Sequence, residues 1–136
     1  MKSLFTVLIG CCMLTDSIEA QILLSEIMAD PVGSEFRNEY IELVNVGVSP
    51  VDLAGWAISD GASHDVLVFR GPSVLPAGAL CLVFDPDYEE GKRPYGVLTA
   101  SLLATVEDRS LGNGGLDNGV PEPVYLIEAS GDTADV

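Results

Sequence analysis

Residues 38–61 constrain this chain more than any other stretch. They open with N-E-Y-I-E-L-V-N (residues 38–45), pass through a short polar turn, and continue as V-D-L-A-G-W-A-I-S-D-G (residues 51–61). Apolar and polar side chains alternate in the first part, and a period of two puts one set against a core and the other toward solvent, as in a half-buried strand. The turn and the Gly55-Trp56 pair then mark a corner leading into a second strand. Ile41 and Leu43 fall on the core face of the first strand. Trp56, a large aromatic just after a tight glycine, reads as a core anchor in preference to a carbohydrate-stacking ring.

Comparable short apolar segments recur at residues 22–28, 66–69, 79–84 and 124–127, separated by clusters of Gly, Pro, Asp, Asn and Ser. Many short strands with regular turn signals predict an all-β sandwich, with Ile27 and Leu82 adding to the core. Helical periodicity is weak; the one candidate, L-T-A-S-L-L-A-T-V at residues 98–106, reads as strand or irregular structure. A chain of 136 residues, 48% hydrophobic and 20% charged, fits one folded domain and lacks the low hydrophobicity of disorder.

The first twenty residues read as an export address. Lys2 precedes an apolar run at residues 4–14 that is too short to span a bilayer, and a polar stretch ends at the small residue Ala20. Cleavage there leaves residues 21–136 as a secreted domain. The alternative reading takes L-I-G-C (residues 8–11) as a lipobox, with Cys11 lipidated and the chain an outer-membrane lipoprotein. Beyond this address only Cys81 remains, so no internal disulfide can form, and its apolar neighbours mark it as a buried filler rather than a nucleophile. Twenty-one acidic against six basic side chains give a net charge of -15. That field repels phosphate backbones and anionic headgroups, which argues against direct nucleic-acid binding and makes cations the natural small partners. A membrane association is expected only through a lipid on Cys11.

Three sets of residues bear on chemistry. Pairing Ile27 with Ile41 in a hairpin puts Glu26 and Glu42 directly opposite each other on the face that also carries Leu24, Met28 and Val44. Like charges so placed repel unless a divalent cation or an arginine such as Arg37 or Arg70 intervenes. The run D-P-D-Y-E-E-G (residues 85–91) supplies Asp85, Asp87 and Glu89 as candidate calcium ligands. Its glycine comes one residue late for an EF-hand, and Gly96 stands where the bidentate glutamate belongs, so a solvated acidic turn is the alternative. Asp60, His64 and Asp65 cluster in sequence as a polar hairpin loop. With one histidine in the chain and no nucleophile elbow or metal-ligand pair, no catalytic constellation can be assembled. The segment L-G-N-G-G (residues 111–115) lacks the lysine and the helix of a phosphate loop and reads as a turn of demanding shape.

Taken in order, S-E-I-M-A-D-P, N-E-Y-I-E-L-V-N, V-D-L-A-G-W-A-I-S-D-G, L-P-A-G-A-L-C-L-V-F and S-L-G-N-G-G cover most of residues 22–115 and resemble a lamin-tail domain of the bacterial secreted type. The resemblance implies an immunoglobulin-like β-sandwich without established catalytic residues, placed in secreted proteins beside hydrolase or cell-surface modules. It departs from the family at residues 131–136, where a last strand is expected to begin just as the sequence stops, the pattern of a fragment. The expected function is a non-catalytic extracellular binding, adhesion or structural module for a protein or surface polymer, with calcium as the one cofactor in view. The alternative is an accessory domain of a larger secreted hydrolase, nuclease-like or phosphatase-like, with its catalytic part beyond Val136.

Overall fold

Two strands of alternating pattern, β1 (Ile22–Met28) and β2 (Tyr40–Asn45), pair antiparallel and set the frame for the rest. The structure, a computed structural model, describes residues 21–31, 38–88 and 100–136. The address at residues 1–20, with Cys11, and also Arg37 and Glu89 lie outside them. The remaining strands are β3 (Val51–Asp52), β4 (Ala57–Ser59), β5 (Asp65–Phe69), β6 (Val74–Leu75), β7 (Leu80–Phe84), β8 (Leu102–Val106), β9 (Tyr125–Ile127) and β10 (Thr133–Asp135).

Eight strands follow one another in the order β1-β2-β7-β8-β5-β4-β9-β10, with β3 and β6 forming a separate ribbon. The long sheet folds at β5. Its start, Asp65 and Val66, pairs with β4, while Leu67, Val68 and Phe69 pair with β8, so one strand serves both layers of a sandwich. The two ends of the sheet meet where the Leu24 N–H donates to Asp135 Oδ2 (2.8 Å). Strand β8, which the 98–106 stretch left open, runs parallel to β7; the other pairings are antiparallel. Residues 133–135, where a last strand was expected only to begin, pair with β9 as β10. This is the all-β sandwich that the pattern predicts, in the immunoglobulin-like form that the resemblance implies.

The core between the layers gathers Ile22, Ile41, Leu43, Trp56, Leu75 and Leu126 with their neighbours, all buried. A Leu or Ile at such a position is worth roughly 2–5 kcal/mol against alanine. Two expectations need correction. Ile27 pairs with Ile41 as predicted, yet it is 44% exposed and outside the core. It lies near the end of an edge strand, three residues past the point where Asp135 meets Leu24, and no described strand there covers the face it shares with Ile41. Leu24 was placed on the face of Glu26 and Glu42, but a register shift at Ser25 pairs it with Leu43 and packs it against the core. A bulge inserts one residue and flips the alternation beyond it.

Leu82 is buried, but on the other side of the sheet, opposite Glu42. Next to it Phe84 lies edge-on to Tyr40 (6.0 Å between centroids) and stacks on Tyr88 (4.3 Å). Strand β7 is thus buried on both faces, which explains why L-C-L-V-F does not alternate. Cys81 is wholly buried, and burial pushes its thiol up to about 12, so it is inert as a nucleophile. Asn45 ties the sheet to the ribbon. Its Nδ2 donates to the carbonyls of Ser49 (2.9 Å) and Leu75 (3.0 Å), and its Oδ1 accepts the Gly47 N–H (3.0 Å).

Candidate functional site

At one end of the sandwich the start of β2, the β4–β5 turn, the end of β7 and the loop after β8 converge. The first three bring carboxylates to the glycine-rich segment S-L-G-N-G-G-L (residues 110–116) within the fourth. The Leu111 N–H donates to Asp85 Oδ1 (2.6 Å), Gly112 to Asp65 Oδ2 (2.7 Å), Asn113 to Asp60 Oδ2 (2.6 Å) and Leu116 to Glu39 Oε2 (3.1 Å). One loop therefore donates four backbone N–H groups to four buried acids drawn from three places in the fold. Leu111 and Leu116 fix its two ends by dropping their side chains into the core.

Glycine is needed here for two separate reasons. Gly112 (φ +67), Gly114 (φ +97) and Gly115 (φ +113) hold positive-φ conformations that L side chains rarely adopt, and the Gly114 and Gly115 N–H groups close the loop on its own carbonyls at Gly112 (2.9 Å) and Leu111 (3.1 Å). A Cβ on Gly112 would also stand 3.0 Å from Asp60 Oδ2 and 3.2 Å from the Gly115 carbonyl. The carboxylates approach so closely because there are no side chains in the way.

Local sequence positions the acids as well. Asp60 closes the turn D-G-A-S by accepting the N–H groups of Ala62 (2.7 Å) and Ser63 (2.6 Å) on Oδ1, the self-bonding that favours Asp in turns. The Ser63 hydroxyl lies within hydrogen-bond distance of Asp60 Oδ1 (3.2 Å) and Asp65 Oδ2 (3.1 Å) and links the two acids. Burial opposes ionisation of Asp60, but the N–H groups of Ser63, Asn113 and Ala62 outweigh it and hold the carboxyl below its usual range.

Asp85 and Asp65 go the other way. Burial pushes Asp85 up to about 6, against the pull of the Leu111 N–H and with help from Asp87, Asp108 and Asp65. Burial likewise raises Asp65, opposed by the Gly112 N–H and reinforced by Asp108 and Asp60. Its second oxygen, Oδ1, is buried and has no hydrogen-bond partner.

The sequence-derived candidates therefore separate. Asp60 and Asp65 belong to the loop-holding set, while His64 between them is exposed. Asp85, read from sequence as a calcium ligand or solvated turn, is buried against Leu111 instead; Asp87 is exposed. Glu26 and Glu42 face each other in register as predicted, and neutral hydroxyls attend both: Tyr40 donates to Glu26 (2.7 Å) and Ser25 to Glu42 (2.8 Å). No ion pair joins Arg70 to either glutamate. Among the described residues no three His, Cys, Asp or Glu side chains are arranged to hold a metal ion. Glu39 was not singled out from sequence, although it stands in N-E-Y at the mouth of β2.

Chemically this end is suited to holding a shape. A general acid or base must reach a substrate proton, and the Asp85 carboxyl, only 1% exposed, is spent on a backbone N–H. Beside the loop lies a polar depression of about 420 Å³, rimmed by Glu39, Asp60, Asp117 and Glu122 and by the loop backbone at residues 113–116. A family model described as Lamin Tail Domain matches residues 15–136. No curated protein matches the chain.

Proposed function

We infer, from the chain's membership of the lamin tail domain family, that it works as a non-catalytic binding or structural module. We further propose that it acts outside the cell, with the acidic rim around residues 113–118 as its contact surface and a basic patch on a protein or surface polymer as its partner. The observation that carries this reading is the docking of the glycine-rich loop on four buried carboxylates. It makes a rigid ledge from backbone that would otherwise be mobile, and Asp117 and Glu122 stand exposed or half-exposed along it. A net charge of -15 steers cationic surfaces toward such a rim and turns away phosphate backbones. Export is supported by the address-like residues 1–20.

The test is a titration of the ¹⁵N-labelled chain with oligolysine, followed by amide shifts at low and at physiological salt. Shifts concentrated at residues 113–118 and Glu122, weakening with salt, support the reading. Shifts scattered over the surface, or an equal response to oligoglutamate, contradict it. Hydrolysis of a phosphoester or carboxylic ester that disappears on replacing His64 and Asp65 would overturn the non-catalytic assignment.

A further inference from the structure

The carboxylates that hold the loop are not equivalent, and the difference has a direction. Asp60 is saturated, with three N–H donors and the Ser63 hydroxyl on its two oxygens. Asp65, only 1% exposed, offers Oδ2 to Gly112 while Oδ1 is sealed from water with no partner. A buried carboxylate oxygen with neither water nor donor is among the costliest states a polar group can take, and a carboxyl escapes it by binding a proton. Asp85 is equally buried, and Leu111 is its one hydrogen-bond donor among the described residues.

The charged surroundings push the same way. Among the described residues, the groups that bear electrostatically on this pair are Asp60 from the β4–β5 turn, Asp87 from the turn after β7 and Asp108 from the turn after β8, all acidic. Glu39, ahead of β2, receives the far end of the same loop at Leu116. His64 and Arg109, the neighbours in sequence of Asp65 and Asp108, are both exposed, and neither forms an ion pair among the described residues. The closed loop thus covers the carboxyls with a lid of backbone, and among the described residues no cation is drawn in to balance them.

We propose that docking of the glycine-rich loop is a proton-binding event, in which the Asp65–Asp85 pair takes one proton from solvent as residues 111–116 close over it and returns that proton when the loop loosens. The proton is shared by the pair, and its apparent titration belongs to both groups. Neither Gly112 nor Leu111 loses its acceptor, because a neutral carboxyl keeps an oxygen free for each N–H. The ledge is therefore firmest in mildly acidic surroundings and loosens as the pH rises past the range of the pair. This goes beyond the binding role proposed above and does not depend on it, since it rests on loop geometry and not on any partner.

The sign follows from linkage. A carboxyl raised in the folded state from 3.8 to about 6 adds stability that is complete below 3.8 and is lost as pH rises through about 6. Between about pH 5 and pH 7.5 this changes the closed-to-open ratio on the order of tenfold.

Carboxyl-carbon NMR titration of the whole chain tests this directly. The Asp85 resonance is expected to show a step near about 6, and the Asp65 resonance one above the ordinary carboxylate range. Asp85→Asn, whose amide oxygen still accepts the Leu111 N–H, is expected to remove the Asp85 step. In urea unfolding the native chain should lose about tenfold in its folding equilibrium between about pH 5 and pH 7.5, whereas Asp85→Asn should stay nearly level. Two carboxyls that both titrate at or below the ordinary carboxylate range overturn the proposal. An Asp85→Asn chain as pH-sensitive as the native one also overturns it. Should that variant fail to fold, the native titration decides alone.

Discussion

Asp60→Ala is the perturbation that weighs most heavily on the loop-docking account. Asp60 is nearly buried and accepts from Ala62, Ser63 and Asn113 N–H groups at 2.6–2.7 Å and from the Ser63 hydroxyl at 3.2 Å. A hydrogen bond to a charged acceptor contributes roughly 1.5–3 kcal/mol net. Ala62 and Ser63 lie in a surface turn whose N–H groups water can reach, so their loss costs little. Asn113 differs, because its N–H docks the loop across 53 residues of sequence. Against this stands the relief of Asp65, on which the Asp60 charge is the smallest of the acting causes. Hydrogen bonding wins, and the net loss at neutral pH comes to about 2–3 kcal/mol. The assay is urea unfolding followed by Trp56, the only tryptophan and a core residue. At a slope of roughly 1–3 kcal/mol per molar, the midpoint should fall by about 0.7–3 M, and Asp60→Asn, which keeps one acceptor oxygen, should fall about half as far. A midpoint unchanged within about 0.3 M, with loop amide shifts intact, would refute the reasoning.

The same assay checks four further outcomes. Ile41→Ala should cost about 2–5 kcal/mol and Ile27→Ala under about 1, because only Ile41 is buried. Asn45→Ala leaves the Ser49 and Leu75 carbonyls and the Gly47 N–H without partners and should cost about 3 kcal/mol, and Asn45→Asp at neutral pH should do no better, since a carboxylate cannot donate to carbonyls. Gly112→Ala should be clearly destabilising while Gly71→Ala, which has nothing within 4 Å, should be near neutral. Stability against pH should peak in mild acid. Asp60, held low, loses its contribution as pH falls through its folded value, whereas Asp85 loses its own as pH rises through about 6.

How much of this was legible in the sequence depends on what each feature required. Alternation in Y-I-E-L-V-N places Ile41, Leu43 and the opposed Glu26–Glu42 pair correctly, because period and register are local consequences of the pleat. The bulge at Ser25 escapes such reading, since it appears only when the strand meets its partner. Exposure of Ile27 depends on which strand covers it, which is a matter of topology. The glycine-rich loop announces a constrained shape, but its four acceptors come from residues up to 77 positions away. Asp60, Asp65 and Asp85 look like solvated turn residues, for a carboxylate at a strand end is usually a surface group. What distinguishes them is that a distant loop brings N–H donors to them, and no spacing within one chain segment encodes that meeting.

Amide hydrogen exchange at residues 111, 112, 113 and 116, at a fixed pH of about 5, measures most directly whether buried carboxylates turn this loop into a rigid ledge. Protection at these four amides comparable to that of strand β7, and lost at Asn113 in Asp60→Ala, is the predicted result. Exchange at the rate of an unstructured chain while the strands stay protected would contradict it.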